Sequence, residues 1–166
     1  MRRSTDWFLY VFAVILLTVL AAIAAHGTNT SYAAVIVVGD MHFSDLSLHN
    51  VGGQEIDTVE VHQQAIIRVT MHNNDEKEWP FVILVEARDG DGVTQYLAWQ
   101  SGKIGSNEDY TMETSWIPSE EGSNYQLRSF AVTDFEHSQI LSPAYSSGVI
   151  TVVESPYYSS QSTFVI

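Results

Sequence analysis

Six histidines, at positions 26, 42, 49, 62, 72 and 137, are the side chains best suited to hold a transition metal, and two directly follow a methionine, in Met41-His42 and Met71-His72. Imidazole and thioether together suit copper or zinc. The spacing argues against a site. Neighbouring side chains of a strand point to opposite faces, so each doublet sends Met inward and His to solvent. No histidine pair has the i, i+4 helical or tight-turn spacing of a recognisable zinc site. Cleavage after Ala25 would make His26 an amino-terminal amine-plus-imidazole chelate for copper, but Ile23, third before that cut, is not the small residue a signal peptidase prefers.

Oxygen ligands for calcium gather in Asp75-Glu-Lys-Glu78, Asp89-Gly-Asp91 and Asp134-Phe-Glu136. Asp89-Gly-Asp-Gly92 is only a fragment of a calcium loop and reads equally as a hairpin turn with glycines for positive φ. Solvated loop carboxylates are the expectation at all three, and Glu120-Glu121 reads as turn charge rather than an acid/base couple. No Gly-x-Ser-x-Gly elbow, His-Glu-x-x-His zinc motif or phosphate-cradling glycine loop is present. The sequence therefore predicts no catalytic, cofactor-binding or metal-binding residues, no cofactor and no enzyme activity.

Composition narrows the field further. The absence of cysteine removes disulfide scaffolds, thiol nucleophiles, Cys-ligated zinc, iron–sulfur and blue-copper sites together. Seven Lys and Arg against twenty Asp and Glu, a formal net charge of −13, exclude nucleic acid as a partner, because phosphate contacts need clustered cations.

These side chains are carried by a chain of two characters. Trp7 to Ala25 is almost wholly apolar, and as a helix it would reach about 28 Å, close to the roughly 30 Å hydrocarbon core. Arg2 and Arg3 precede it and no Lys or Arg follows until Arg68, which predicts the amino terminus inside and the rest outside. Small-residue cleavage sites at Ala22-Ile-Ala24 and Ser31-Tyr-Ala33 keep a cleaved signal open beside a retained anchor. Residues 1–26 form the transmembrane or signal segment and 27–33 a linker containing the sequon Asn29-Thr-Ser31; 34–154 form the ectodomain and 155–166 a flexible tail or added edge strand.

Within the ectodomain the apolar period becomes alternation. Ala65, Ile67, Val69 and Met71 share one face, and Tyr110, Met112, Thr114 and Trp116 do the same. Strands are predicted over 34–43, 64–71, 81–88, 93–100, 110–116, 125–133 and 148–153. Seven short strands without helices predict an all-β, seven-stranded immunoglobulin-like β-sandwich behind one N-terminal transmembrane or signal helix.

Val69-Thr-Met-His-Asn-Asn74 before an apolar strand, and Trp116-Ile-Pro118 leading to Gly122 and Tyr125, resemble the pattern of cell-adhesion-related (CARDB-like) and fibronectin type III-like domains of archaeal membrane-anchored surface proteins. The resemblance covers about Val59 to Val153 and implies a fold, with adhesion or scaffolding by analogy. The expectation is a noncatalytic extracellular interaction or scaffold domain on the cell membrane, held through Trp7 to Ala25, or secreted if the signal is cleaved. Its partner would be another cell-surface or membrane protein. A pilin- or archaellin-like filament subunit and an accessory subunit of a membrane enzyme complex are the alternatives; Arg2-Arg-Ser-Thr-Asp6 fits a pilin leader poorly.

Overall fold

The computed structural model describes residues 36–156. The predicted span Trp7 to Ala25, the linker with its sequon, and the tail from residue 157 lie outside the described residues. Among those described, no helix is long and apolar enough to cross a membrane.

Among the described residues eight strands run β1 (Met41–Asn50), β2 (Thr58–Glu60), β3 (Ala65–Asn73), β4 (Trp79–Arg88), β5 (Thr94–Ile104), β6 (Asp109–Trp116), β7 (Gly122–Val132) and β8 (Ile140–Val153). They form a three-stranded sheet, β1-β3-β6, and a five-stranded sheet, β2-β8-β7-β4-β5. The predicted seven strands become eight because Thr58–Glu60 pairs in parallel with Thr151–Val153 at the far edge of the larger sheet. Three residues are too short to show an alternation, so this strand left no periodic signal.

The first strand is also displaced. It was expected over 34–43, whereas β1 runs to Asn50 and pairs along its length with β3. A bulge between Phe43 and Asp45 breaks the period there. Beyond it Leu46 and Leu48 turn inward and Asp45, Ser47 and His49 outward. One extra residue shifts the phase and hides a strand from a period-2 reading.

The two inner faces interdigitate. Ala65, Ile67, Val69 and Met71 of β3 are wholly buried, and Phe81, Ile83, Val85 and Ala87 of β4 face them. Asn73, also fully buried, is satisfied: its amide donates to the carbonyls of Lys77 (2.9 Å) and Gly105 (2.8 Å), and its Oδ1 accepts from the Asp75 N–H (3.0 Å). This is the physical content of the Asn-rich turn read in the sequence. One side chain ties the β3–β4 turn to the β5–β6 turn, and it is tolerated in the interior because its polar atoms find partners.

At the opposite end the chain crosses from β6 to β7 around Trp116 and Tyr125, whose rings pack at 5.6 Å between centroids, each 2% exposed. The Tyr125 hydroxyl donates to the Glu120 carbonyl at 3.1 Å. Such a tyrosine corner is a feature of immunoglobulin-type sandwiches. Burial, and then the negative charges of Glu120 and Asp89, push the phenol's pKa up, so it remains a donor. A Cβ at Gly122 would stand 2.8 Å from the Tyr125 ring, which is why glycine occupies that position.

Trp116→Ala should lower stability by about 3 to 5 kcal/mol, the cost of removing a buried indole. Tyr125→Phe should cost about 1 kcal/mol for one hydrogen bond. Urea titrations read both as a lower midpoint at unchanged slope, and a Trp116→Ala loss under about 1 kcal/mol would contradict the corner's structural role.

Candidate functional site

The histidines considered as ligands are placed by strand geometry. Met41 and Met71 lie in the core, while His42 and His72 are register partners on the outer face of the small sheet, their rings 5.2 Å apart. Each has a protein partner: Nδ1 of His72 meets Asp109 Oδ1 at 2.9 Å, and the Asn74 amide donates to His42 Nδ1 at 3.1 Å. No cluster of three or more metal-ligating side chains assembles among the described residues.

The acidic loops are occupied by their own backbones. Asp89 Oδ1 accepts from the N–H groups of Asp91 (3.0 Å) and Val93 (2.8 Å), and Oδ2 accepts from Gln95 (2.6 Å). The Gln95 amide and then the Val93 N–H hold its carboxyl below the usual carboxylate range. Gly92, at φ +79°, completes the β4–β5 hairpin as the Asp-Gly pattern predicts. Asp75 accepts from the Trp79 indole and from the Asp40 N–H. Asp134 does for the β7–β8 loop what Asp89 does for the hairpin, accepting from the N–H groups of Glu136 and His137.

A polar chain absent from the sequence reading runs along the outer face of β1. Ser47 Oγ donates to Asp45 Oδ2 at 3.1 Å and lies 2.9 Å from His49 Nε2, while His49 Nδ1 lies 3.2 Å from the Gly53 carbonyl. These are the residue types of a hydrolase triad in the wrong order. Serine stands between the carboxylate and the imidazole, so the carboxylate engages the hydroxyl rather than orienting the base. Ser47 and His49 are both buried, and the arrangement fastens the 50–56 loop to the strand. The signal that could have revealed it is Asp45-x-Ser47-x-His49 alternating with Leu46 and Leu48.

The outer face of the five-stranded sheet is different in kind. On β4 the outward residues Val82 and Leu84 are 4% and 6% exposed although they lie outside the main core. Trp99 of β5 and Phe130 of β7 are their neighbours in register with Leu84. Phe135, presented by the Asp134-capped loop, meets Trp99 edge-on, with centroids 5.2 Å apart and planes at 90°. Trp99 remains 52% exposed. Between these elements lies an open groove of about 660 Å³, walled by Pro80, Trp99, Gly102, Lys103 and Phe135. Two residues beyond Leu84 along β4 the same face carries an ion pair, Arg128 Nη1 to Glu86 Oε1 at 3.1 Å, with Thr94 donating to the other Glu86 oxygen at 2.8 Å. A sheet face that should meet water instead carries a second apolar cluster with an exposed indole on top.

The sequence reading missed this face, although a signal existed. Phe81-Val-Ile-Leu-Val85 is continuously apolar rather than alternating, the signature of a strand covered on both sides.

No family model matches the chain, and no curated protein matches it. Solved structures do resemble it. The C-terminal domain of wzt aligns over 72% of this chain and 77% of its own length, at 13% identity and a TM-score of 0.54. The CARDB domain of the PF1109 protein from Pyrococcus furiosus aligns in its solution structure over 72% of this chain and all of its own, at 17% identity and a TM-score of 0.49. The same domain solved in complex with di-metal ions aligns over 67% of this chain and 94% of its own, at 17% identity and a TM-score of 0.46. At these identities the likeness concerns the fold, which the wzt domain supports independently of the strand topology.

The Asp134 loop gives a pH prediction. The His137 N–H is the largest cause holding the Asp134 carboxyl below its ordinary value of 3.8. A depressed folded-state pKa contributes order above the ordinary value and loses it as pH falls through the folded one. Phe135 should therefore separate from Trp99 as pH drops below about 3.8. The difference in fluorescence between the wild-type chain and Trp99→Phe reads this, and Asp134→Ala should produce the change already at neutral pH.

Proposed function

We propose that this chain is a noncatalytic interaction or scaffold domain, held outside the cell by its apolar segment Trp7 to Ala25, and that it engages another surface or membrane component through the outer face of its five-stranded sheet. The observation that carries the reading is the Trp99 groove. A half-exposed indole resting on buried Leu84, beside a polar ion pair, has the anatomy of an interface centre, with an aromatic anchor and a polar border. The acidic surface supports solubility and favours a partner that is neutral or cationic where it meets this chain. The archaeal surface setting implied by the sequence resemblance is compatible with this role.

The alternatives draw less support. A filament subunit requires the apolar segment to pack in a fibre core, and the basic start fits a pilin leader poorly. The Asp45-Ser47-His49 order gives no reason to assign hydrolysis.

Crosslinking on intact membranes tests the reading. The wild-type chain should yield a discrete adduct with a second protein, and Trp99→Ala should reduce its yield at least about tenfold, as loss of a central aromatic anchor does. Protease added outside intact cells should remove the domain. An adduct unaffected by Trp99→Ala would move the contact elsewhere, and a protected domain would overturn the topology.

A further inference from the structure

The four sheet edges of this sandwich are not treated alike. β2 is three residues long. β1 carries a bulge, and its second half is covered by the returning 54–56 segment, with Asn50 N–H donating to Gln54 and Ile56 N–H to Leu48. β6 bears Asp109 and Glu113 along its length. Shortness, bulges, covering and charge are the devices by which proteins keep edges from pairing. β5 has little of this protection: its one bulge, at Gln95 opposite the Ala87/Arg88 step, lies near its start, and its one charge, Lys103, near its end. It is eleven residues long, it pairs only with β4 among the described strands, and it carries no charged side chain from Thr94 to Gly102.

We propose that β5 is a self-pairing edge: two copies of the chain associate by antiparallel pairing of their β5 strands about a two-fold axis at Ala98, joining two five-stranded sheets into one. This goes beyond the function proposed above and does not depend on which component the groove takes. The sequence of the strand selects a second copy and this register. With Ala98 opposite itself, the smallest side chain of the central stretch sits on the axis. Leu97, 38% exposed, falls opposite Trp99 of the other copy, 52% exposed, so both copies cover their apolar residues at once. On the inner side Tyr96 falls opposite Gln100. At each end Lys103, whose side chain is 70% exposed beside Glu78, arrives at Val93, two residues from the exposed Asp91 of the other copy. Two bodies each of net charge −13 repel, and this edge offers an uncharged strip flanked by an acid at one end and a lysine at the other. Antiparallel pairing matches those ends, whereas parallel pairing would place acid against acid.

The absence of cysteine makes the register directly measurable. In the full-length chain in detergent, Ala98→Cys should crosslink to itself under mild oxidation, since directly paired residues have the Cα separation a disulfide needs. Gln95→Cys should not, because its own counterpart lies about 20 Å away along the strand. Gln95→Cys mixed with Ser101→Cys should give the mixed dimer. Sedimentation of the wild-type chain should show a dimer, and Leu97→Lys should convert it to a monomer with an unchanged circular dichroism spectrum. A wild-type monomer at micromolar concentration, a dimer that survives Leu97→Lys, or self-crosslinking of Gln95→Cys equal to that of Ala98→Cys would overturn the proposal. The sedimentation arm stands even if a cysteine variant fails to fold. Leu97, unlike Trp99, does not wall the groove, so Leu97→Lys should abolish the dimer while the heterologous membrane adduct persists, and failure of one idea is distinguishable from failure of the other.

Discussion

Burial of the Trp116 indole against Tyr125, at the point where the chain passes from one sheet to the other, is the contact on which the sandwich depends. Two sheets that share no backbone hydrogen bonds are held by what lies between them, and large aromatics supply most area per residue. Trp116 is contributed by the three-stranded sheet and Tyr125 by the five-stranded one, so their contact is a direct link between layers. The phenol then fixes the connection itself, because its hydroxyl is committed to the Glu120 carbonyl five residues back. Gly122 follows as a consequence: the ring needs the space that any Cβ would fill.

The far end is closed by a different device. There Asn73 replaces an aromatic pair with three hydrogen bonds, linking two turns through a side chain with no exposed surface. Between the two closures the open flank beside β5 and β6 is bridged by the Tyr96 hydroxyl, bonded to Thr114 Oγ1. A buried polar network resists slippage because each broken bond leaves an unsatisfied group. The apolar middle can thus stay simple, Val, Ile, Leu and Ala in alternation, while the ends set the alignment of the sheets.

What the sequence made legible follows from these physics. Strands with one wet face announced themselves by alternation, so β3 and β6 were placed within a residue or two, and Trp116, Pro118, Gly122 and Tyr125 stood out together as a family-like pattern. A bulge at Phe43/Asp45 inverted the phase of β1 and concealed Ser47 and His49, and β2 was too short to show a period. The candidate site was hidden for another reason. Val82 and Leu84 come from β4, Trp99 from β5, Phe130 from β7 and Phe135 from the next loop, and only the order β7-β4-β5 brings them together. Strand order is a long-range property that a local pattern cannot contain. The unbroken apolar run in β4 did signal a second covered face, without saying what covers it.

The acidic composition takes on a more specific meaning once its members are placed. Asp89 and Asp134 lead turn segments; the Gln95 amide and then the Val93 N–H hold the first carboxyl below its ordinary range, and the His137 N–H holds the second; Asp75 also receives an N–H, from Asp40 across the fold. Such carboxylates order loops, and their negative charge is partly neutralised by the amides they accept. Asp109 and Glu113 instead lie along β6, paired with His72 and Arg68 of the neighbouring strand. One composition thus serves two physical tasks, shaping turns and guarding an edge. The stretch from Thr94 to Gly102 receives neither kind of acid, and it adjoins the face where Trp99 is exposed. In a chain so rich in carboxylates, the uncharged edge and the apolar face coincide on a single strand, and that coincidence concentrates the surface's capacity for contact on β5.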